Sequence, residues 1–243
     1  MSSGTMKVLL ISLATSTERR RKAMQVLEQN NIEYEILDAV DGRLGEHPLL
    51  RRYNEAKFIL HRGRSALPGE LGCYASHLLA WEKAVELDQP IVVLEDDFIL
   101  SDKFTFLIQQ AYQWIEKYGF IRIEPWRTRR FFTVENNQGI KLVKFLKVPQ
   151  CTTGYIISPR CAQRFIDTSQ EMILPVDVFI RNSYLHKQAI YGLEPSPVKP
   201  GNAKTSTIGN RKNKINDINV RVKKTFFRVY TLFMTGITNL ISR

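Results

Sequence analysis

Hydrophobic and polar positions along the 243 residues switch repeatedly between short apolar runs and helical spacing. Val8 to Leu13 is a short apolar run that predicts a strand. Thr17 to Asn30 predicts a helix with a charged outer face and with Ala23, Met24, Val26 and Leu27 turned inward. Tyr34 to Ala39 predicts a second strand, and Asp41-Gly42 marks the turn that closes it. Between Gly42 and Pro68 the pattern dissolves into a basic, mixed segment that reads as loop with one short helix. Periodicity then returns as a helix over Glu70 to Leu87, a strand from Ile91, a helix over Lys103 to Tyr118 and a strand over Phe120 to Glu124. That β-α-β-α-β order predicts an α/β fold with a Rossmann-like sheet and right-handed crossovers.

The later half is less regular. Phe131 to Val134 and Ile140 to Val148 flank Asn136-Asn137-Gln138-Gly139, a hairpin signal. Thr153 to Ser158 reads as a strand, Pro159 starts a helix at its favoured first position, and Val176 to Tyr184 reads as another helix. Lys199 to Asn219 is polar and reads as a loop or tail. From Val220 to Ser242, Val222, Phe226, Val229, Phe233, Ile237 and Leu240 recur at helical spacing behind Arg221, Lys223, Lys224 and Arg228. The uncharged part falls short of the ~20 residues that a bilayer crossing needs. It reads as an amphipathic interfacial helix on an anionic lipid surface, or as a terminal helix packed on the core. The chain therefore divides into a domain over residues 6–208 and a basic, helical tail over 209–243.

Composition narrows the class. The 44% apolar and 24% charged content are those of a globular domain and exclude a disordered chain. Met1 to Thr5 reads as a leader ahead of Met6, with no secretory signal before the first strand. Cys73, Cys151 and Cys161 are odd in number and lack metal or staple spacing, which suits a reducing, cytoplasmic setting. The formal charge of +11 is concentrated late, where Lys199 to Arg243 carries ten Lys and Arg against Asp217 alone. An anionic partner is expected there: nucleic acid, acidic phospholipid or a phosphorylated glycan.

Four segments carry candidate chemistry. Ile91-Val92-Val93-Leu94 reads as a fully buried parallel strand that runs into Glu95-Asp96-Asp97. Open α/β sheets place ligands at such carboxyl ends. Clustered carboxylates repel one another, and a hard divalent cation with a phosphate relieves them; a solvated acidic turn is the bland alternative. Pro68-Gly69-Glu70-Leu71-Gly72 before a helix lets backbone amides approach a phosphate or sugar, with Glu70, Ser76 and His77 close by. A zinc site is not expected, because the histidines show no pairing at ligand spacing. Gly154, heading the strand of Tyr155, marks a close approach by another chain or a ligand, or a bulge. Asp177 opens a helix and reads equally as an N-cap.

In order, Ile11-Ser12-Leu13 with Glu18-Arg19-Arg20, Ala39 to Gly42, Gly69-Glu70-Leu71-Gly72-Cys73 with Ser76-His77, Leu94-Glu95-Asp96-Asp97, Thr153-Gly154-Tyr155 with Ser158, and Pro175-Val176-Asp177 form a pattern. The chain resembles glycosyltransferase family 25, the lipooligosaccharide galactosyl- and glucosyltransferases of Gram-negative bacteria, over about Lys7 to Ile208. It departs at Ser12, where the family usually has Asn. The resemblance implies a GT-A fold and transfer of a hexose, galactose favoured, from a UDP-sugar to lipooligosaccharide or lipopolysaccharide core with inversion to a β-linkage. It implies Mn²⁺ or Mg²⁺ on Asp97 and Glu95, which stand where GT-A enzymes carry their DxD element, with Glu95 or Asp96 holding ribose or sugar. Donor contacts are expected at Ser12, Leu13, Arg19, Asp41, Gly69, Glu70, Ser76, Glu95, Asp96, Gly154 and Tyr155; Arg19 reads equally as a surface helix residue. Asp177 is the expected general base and His77 the second candidate. With the basic tail, the resemblance implies a peripheral protein on the cytoplasmic face of the inner membrane, binding a glycolipid acceptor.

Two other classes compete. A basic nucleic-acid-binding protein lacks support, because no aromatic-basic interleaving, helix-turn-helix or zinc signature is present. A metal-dependent phosphohydrolase would use the same acids.

Overall fold

The computed structural model describes residues 6–126, 131–201 and 218–241. The first half follows its apolar pattern closely, apart from the unexpected strand β4: β1 (Lys7–Ser12), α1 (Thr17–Gln29), β2 (Tyr34–Asp38), a 3-10 turn at Pro48–Arg52, α2 (Glu55–Arg62), α3 (Pro68–Glu86), β3 (Ile91–Glu95), β4 (Phe98–Leu100), α4 (Phe104–Tyr118) and β5 (Phe120–Arg122). The ambiguous segment after Gly42 thus holds one short helix, as its weak periodicity suggests. Asn54 caps α2 by accepting from the Lys57 amide, and Gly63 ends it in the left-handed region at φ 72°.

The second half adds β6 (Phe131–Asn137), β7 (Ile140–Phe145), β8 (Gly154–Ile157), α5 (Pro159–Thr168), α6 (Val176–Arg181), α7 (Ser183–His186), β9 (Tyr191–Glu194), β10 (Val198–Pro200) and α8 (Ile218–Ile241). Gln138 and Gly139 both take positive φ, 49° and 85°, so the β6–β7 hairpin closes through a two-residue turn. The single helix expected over Val176 to Tyr184 is instead two, broken at Asn182, whose ψ of 72° leaves the helical region.

Eight strands form one mixed sheet in the order β2-β1-β3-β8-β5-β9-β7-β6. β1 pairs parallel with β2 and β3, and β5 parallel with β9. β8 runs antiparallel between β3 and β5, and β7 antiparallel to β9 and β6. The Ile91 strand is therefore parallel on one side only. Each central strand is buried on both faces. Leu9, Ile11, Ile91 and Val93 face a core with α3, α5 and α6, whereas Val8, Leu10, Val92 and Leu94 face one with α1 and α4. This double burial explains why β1 and β3 read as continuous apolar runs rather than alternating ones.

α8 lies along α2 and α7. Phe227 packs 4.7 Å from the His61 ring and Tyr230 6.0 Å from Tyr184, while Thr235 is buried. Val222, Phe226, Val229 and Phe233 point away, each more than 60% exposed. The first four residues of the apolar stripe seen in the sequence thus lie on the outer face. Among the described residues no helix is long and apolar enough to cross a membrane. The boundary expected at residue 208 and the side chain of Leu240 lie outside the described residues.

Candidate functional site

The parallel register Ile11↔Glu95 and Ser12↔Asp38 brings the carboxyl ends of β1, β2 and β3 to one edge. There a pocket is lined by Ser12, Leu13 and Ser16 from the first βα connection, by Arg19 from the first turn of α1 and by Asp41, Gly42 and Arg43 after β2. Gly69, Cys73, Ser76 and His77 from α3 and the acids Glu95, Asp96 and Asp97 complete it. Most residues expected from the sequence meet here, as a strand-end site in an open α/β sheet should.

The three acids are held differently. Asp96 accepts from Ser12 Oγ at 2.7 Å and from the Arg19 guanidinium, so both its oxygens are engaged. Ser12 thereby gives the departure from the family's Asn a concrete role: a hydroxyl that orients Asp96. Glu95 accepts from Thr152 Oγ1 and lies 3.1 Å from His77 Nε2. Burial pushes the Glu95 carboxyl up, but the His77 and Thr152 hydrogen bonds outweigh it and leave it below its ordinary value. Asp97 has neither anchor. Its Oδ1 is buried with no hydrogen-bond partner, and Arg19 approaches its Oδ2 only to 3.9 Å. Burial and the adjacent Glu95 carboxylate raise the Asp97 carboxyl, with Arg19 opposing. An orphaned buried carboxylate oxygen beside a second carboxylate is a donor set that fits a hard divalent cation.

His77 is 1% exposed, and both its ring nitrogens are engaged: Nδ1 with Tyr155 Oη at 2.9 Å, Nε2 with Glu95. Tyr155 Oη also accepts from Trp81 Nε1 at 2.9 Å. Tyr155 was expected to touch the donor; it sits behind the pocket wall, where it orients His77. Gly154 is likewise inside the sheet. Its amide donates to Glu124 Oε2 at 2.7 Å, and a Cβ there would come within 3.0 Å of Ile123. The close approach that this glycine signals is thus by neighbouring side chains. Glu70 does not line the pocket either: it takes both Arg64 guanidinium nitrogens at 2.7 Å and caps the start of α3 at the Leu67 amide. Ser76 lines the pocket with its hydroxyl already used, donating to Gly72 O at 2.7 Å and accepting from Val40 N at 2.9 Å. A Cβ on Gly72 would meet the Gly42 amide at 2.6 Å, so that glycine permits a chain crossing.

Asp177 stands in the first turn of α6, half-buried, with Oδ1 accepting from Val178 N at 2.9 Å. Outside the lining itself, it lies within electrostatic reach of Cys73, which lines the pocket, and of Arg181. Asp41 accepts from Arg43, which pulls its carboxyl below its ordinary value and sets a cation at the mouth.

Sequence reasoning gave no site role to Arg43, Thr152 or the buried pair Arg122 and Glu124, and none to Cys73 beyond its place in the family pattern. Arg122 donates to Pro149 O at 2.9 Å and Cys151 O at 2.6 Å, which holds the segment carrying Thr152 against Glu95. Only Cys73 had a local signal, its spacing of one helical turn from His77. Arg43 sits two residues from Asp41, whereas Thr152 and the Arg122–Glu124 pair reach the site through long-range pairing.

The profile described as "Glycosyltransferase family 25 (LPS biosynthesis protein)" matches residues 5–180. Procollagen galactosyltransferase 1 of Danio rerio is 28% identical over 73% of this chain and 31% of its own length. A probable inactive glycosyltransferase 25 family member 3 of Bos taurus is 27% identical over 72% of this chain and 31% of its own. The lipooligosaccharide biosynthesis protein lic2B of Haemophilus influenzae is 23% identical over 76% of this chain and 73% of its own. The chain spans about a third of the length of the animal relatives it matches.

Proposed function

The chain belongs to glycosyltransferase family 25, and from that premise we propose that it transfers a hexose, galactose favoured, from a UDP-sugar to the core of lipooligosaccharide or lipopolysaccharide, with inversion to a β-linkage. The observation that carries this reading is the buried, unpartnered Oδ1 of Asp97 beside Glu95, at the carboxyl edge of β1 and β3. Asp97 and Glu95 would hold Mn²⁺ or Mg²⁺. When bound, such a cation acts as a Lewis acid that offsets the charge on the departing diphosphate.

The chain's own residues do the remaining work. Ser12 and Arg19 hold Asp96 still, so the acidic edge keeps one geometry as charge develops. Arg43 at the mouth and Arg19 within it offer cations to the nucleotide phosphates. Gly69, at the start of α3, leaves backbone room for the donor. Asp177 is favoured as the base that takes the acceptor hydroxyl's proton, supported by its position near Cys73 and by a partial exposure that His77 lacks. His77 is better suited to steering Glu95.

The acceptor and the location follow from charge. The exposed stripe of Val222, Phe226, Val229 and Phe233, interleaved with Arg221, Lys223 and Arg228, supports a peripheral seat on an anionic inner-membrane surface. A glycolipid acceptor would be presented there.

The experiment is incubation with UDP-galactose or UDP-glucose and Mn²⁺, with and without truncated core glycan. UDP release that requires the glycan is the expected result. Release indifferent to the glycan would instead make the protein a hydrolase.

A further inference from the structure

Cys73 and His77 lie one turn apart on α3 and so share a face, and that face meets the end of β3. The Cys73 thiol, a His77 ring nitrogen and a Glu95 carboxylate oxygen all fall within 4.8 Å of one another. All three residues line the pocket. We propose that they form a binding site for a thiophilic divalent cation of the Zn²⁺ class, sharing only Glu95 with the all-oxygen site of Asp97.

The donor set argues for that class. A thiolate, an imidazole and one carboxylate make a mixed, soft set that suits zinc and poorly suits Mn²⁺ or Mg²⁺. Three protein ligands leave the fourth tetrahedral position for water or a pocket ligand. Ligating histidines are normally steered through their other nitrogen, and His77 has that partner: Tyr155 Oη at 2.9 Å from Nδ1, itself anchored by Trp81. The ring is thereby held with Nε2 towards Glu95 at 3.1 Å.

Protons balance simply. Without the ion, a ring proton on Nε2 is donated to Glu95. With the ion, that proton resides on Nδ1 and is donated to Tyr155 Oη, whose own hydrogen turns away from the ring, and the Nε2 lone pair is freed. Cys73 loses its thiol proton to solvent, so one proton is released per cation. If the transfer reading above is right, an ion here removes Glu95 from the hard cation, and zinc inhibits the enzyme reversibly.

The test uses Co²⁺ as the probe on the full, metal-free chain, with neither donor nor acceptor, so its outcome is independent of transfer. Cobalt should bind in a single step and give a thiolate-to-cobalt charge-transfer band that Zn²⁺ abolishes. Cys73→Ser should lose the band, Cys151→Ser should keep it, and Tyr155→Phe should weaken binding by roughly 10- to 100-fold. No band in the unmutated chain, or a band that survives Cys73→Ser, overturns the site. Should Cys73→Ser misfold, alkylation of the unmutated chain decides: Zn²⁺ must shield Cys73 from iodoacetamide, and equal labelling with and without Zn²⁺ also overturns it.

Discussion

Asp97 and its neighbour Asp96 are adjacent in sequence yet opposite in circumstance. Asp96 spends its oxygens on Ser12 and Arg19, whereas Asp97 keeps one buried oxygen without a partner. Removing the Asp97 charge should therefore abolish Mn²⁺-dependent UDP binding while the fold persists. Calorimetric titration of Asp97→Asn with UDP checks this, and heats equal to the parent protein's would take Asp97 out of the cation site. Asp177 differs again, because it stands in the first turn of α6, outside the pocket lining. Asp177→Asn should retain UDP-sugar affinity and lose turnover by about 10²- to 10⁴-fold, the usual worth of a positioned base. Paired measurements of donor affinity and kcat separate the two effects, and normal turnover would end its candidacy.

At the scale of elements, each helix is defined by what its inner face meets. α3 is buried along most of its length because it lies across the sheet and under α5, with Trp81 and Tyr74 fully enclosed. Its N-terminal turn crosses the chain after β2 so closely that Gly42 and Gly72 admit no side chain. α8 is the reverse case. Its inner face is narrow, resting on His61 and Tyr184, and its larger apolar residues face outward. Placing Asp at Phe226 and Phe233 should leave thermal stability nearly unchanged and reduce co-sedimentation with anionic vesicles. Sedimentation unaltered by both substitutions, in vesicles rich in acidic lipid, would make the stripe irrelevant to membranes.

For the whole molecule, stability should depend on a histidine remote from the pocket. His186 is enclosed by Phe165 and Phe179, lies 3.1 Å from Ile180 O through Nε2, and accepts from the Gln188 amide through Nδ1. Burial pushes it down from 6.5 to about 4. The folded state thus disfavours its protonation. Its contribution is intact above the unfolded value and is lost as pH falls from 6.5 towards 4, by about 3 kcal/mol in total. Urea denaturation across that window should show the decline, and His186→Gln should flatten it; an unchanged slope in the variant would assign the pH dependence elsewhere.

Much of this protein was legible in one dimension. Helix and strand positions in the first half, the hairpin turn, and the acidic edge after the Ile91 strand all follow from local spacing, because doubly buried strands and amphipathic helices write their burial into residue order. The candidate site was legible where it sits at or just after strand ends, as at Ser12, Asp41 and the three acids, and at Arg19 in the first turn of α1. It was not legible where partners are distant in the chain. That Thr152 holds Glu95 across 57 residues and that Tyr155 steers His77 across 78 are matters of tertiary pairing. The antiparallel β8, inserted between β3 and β5, brought Tyr155 and the Thr152 segment to the acids. Strand order is set by how whole faces pack, which no local period encodes.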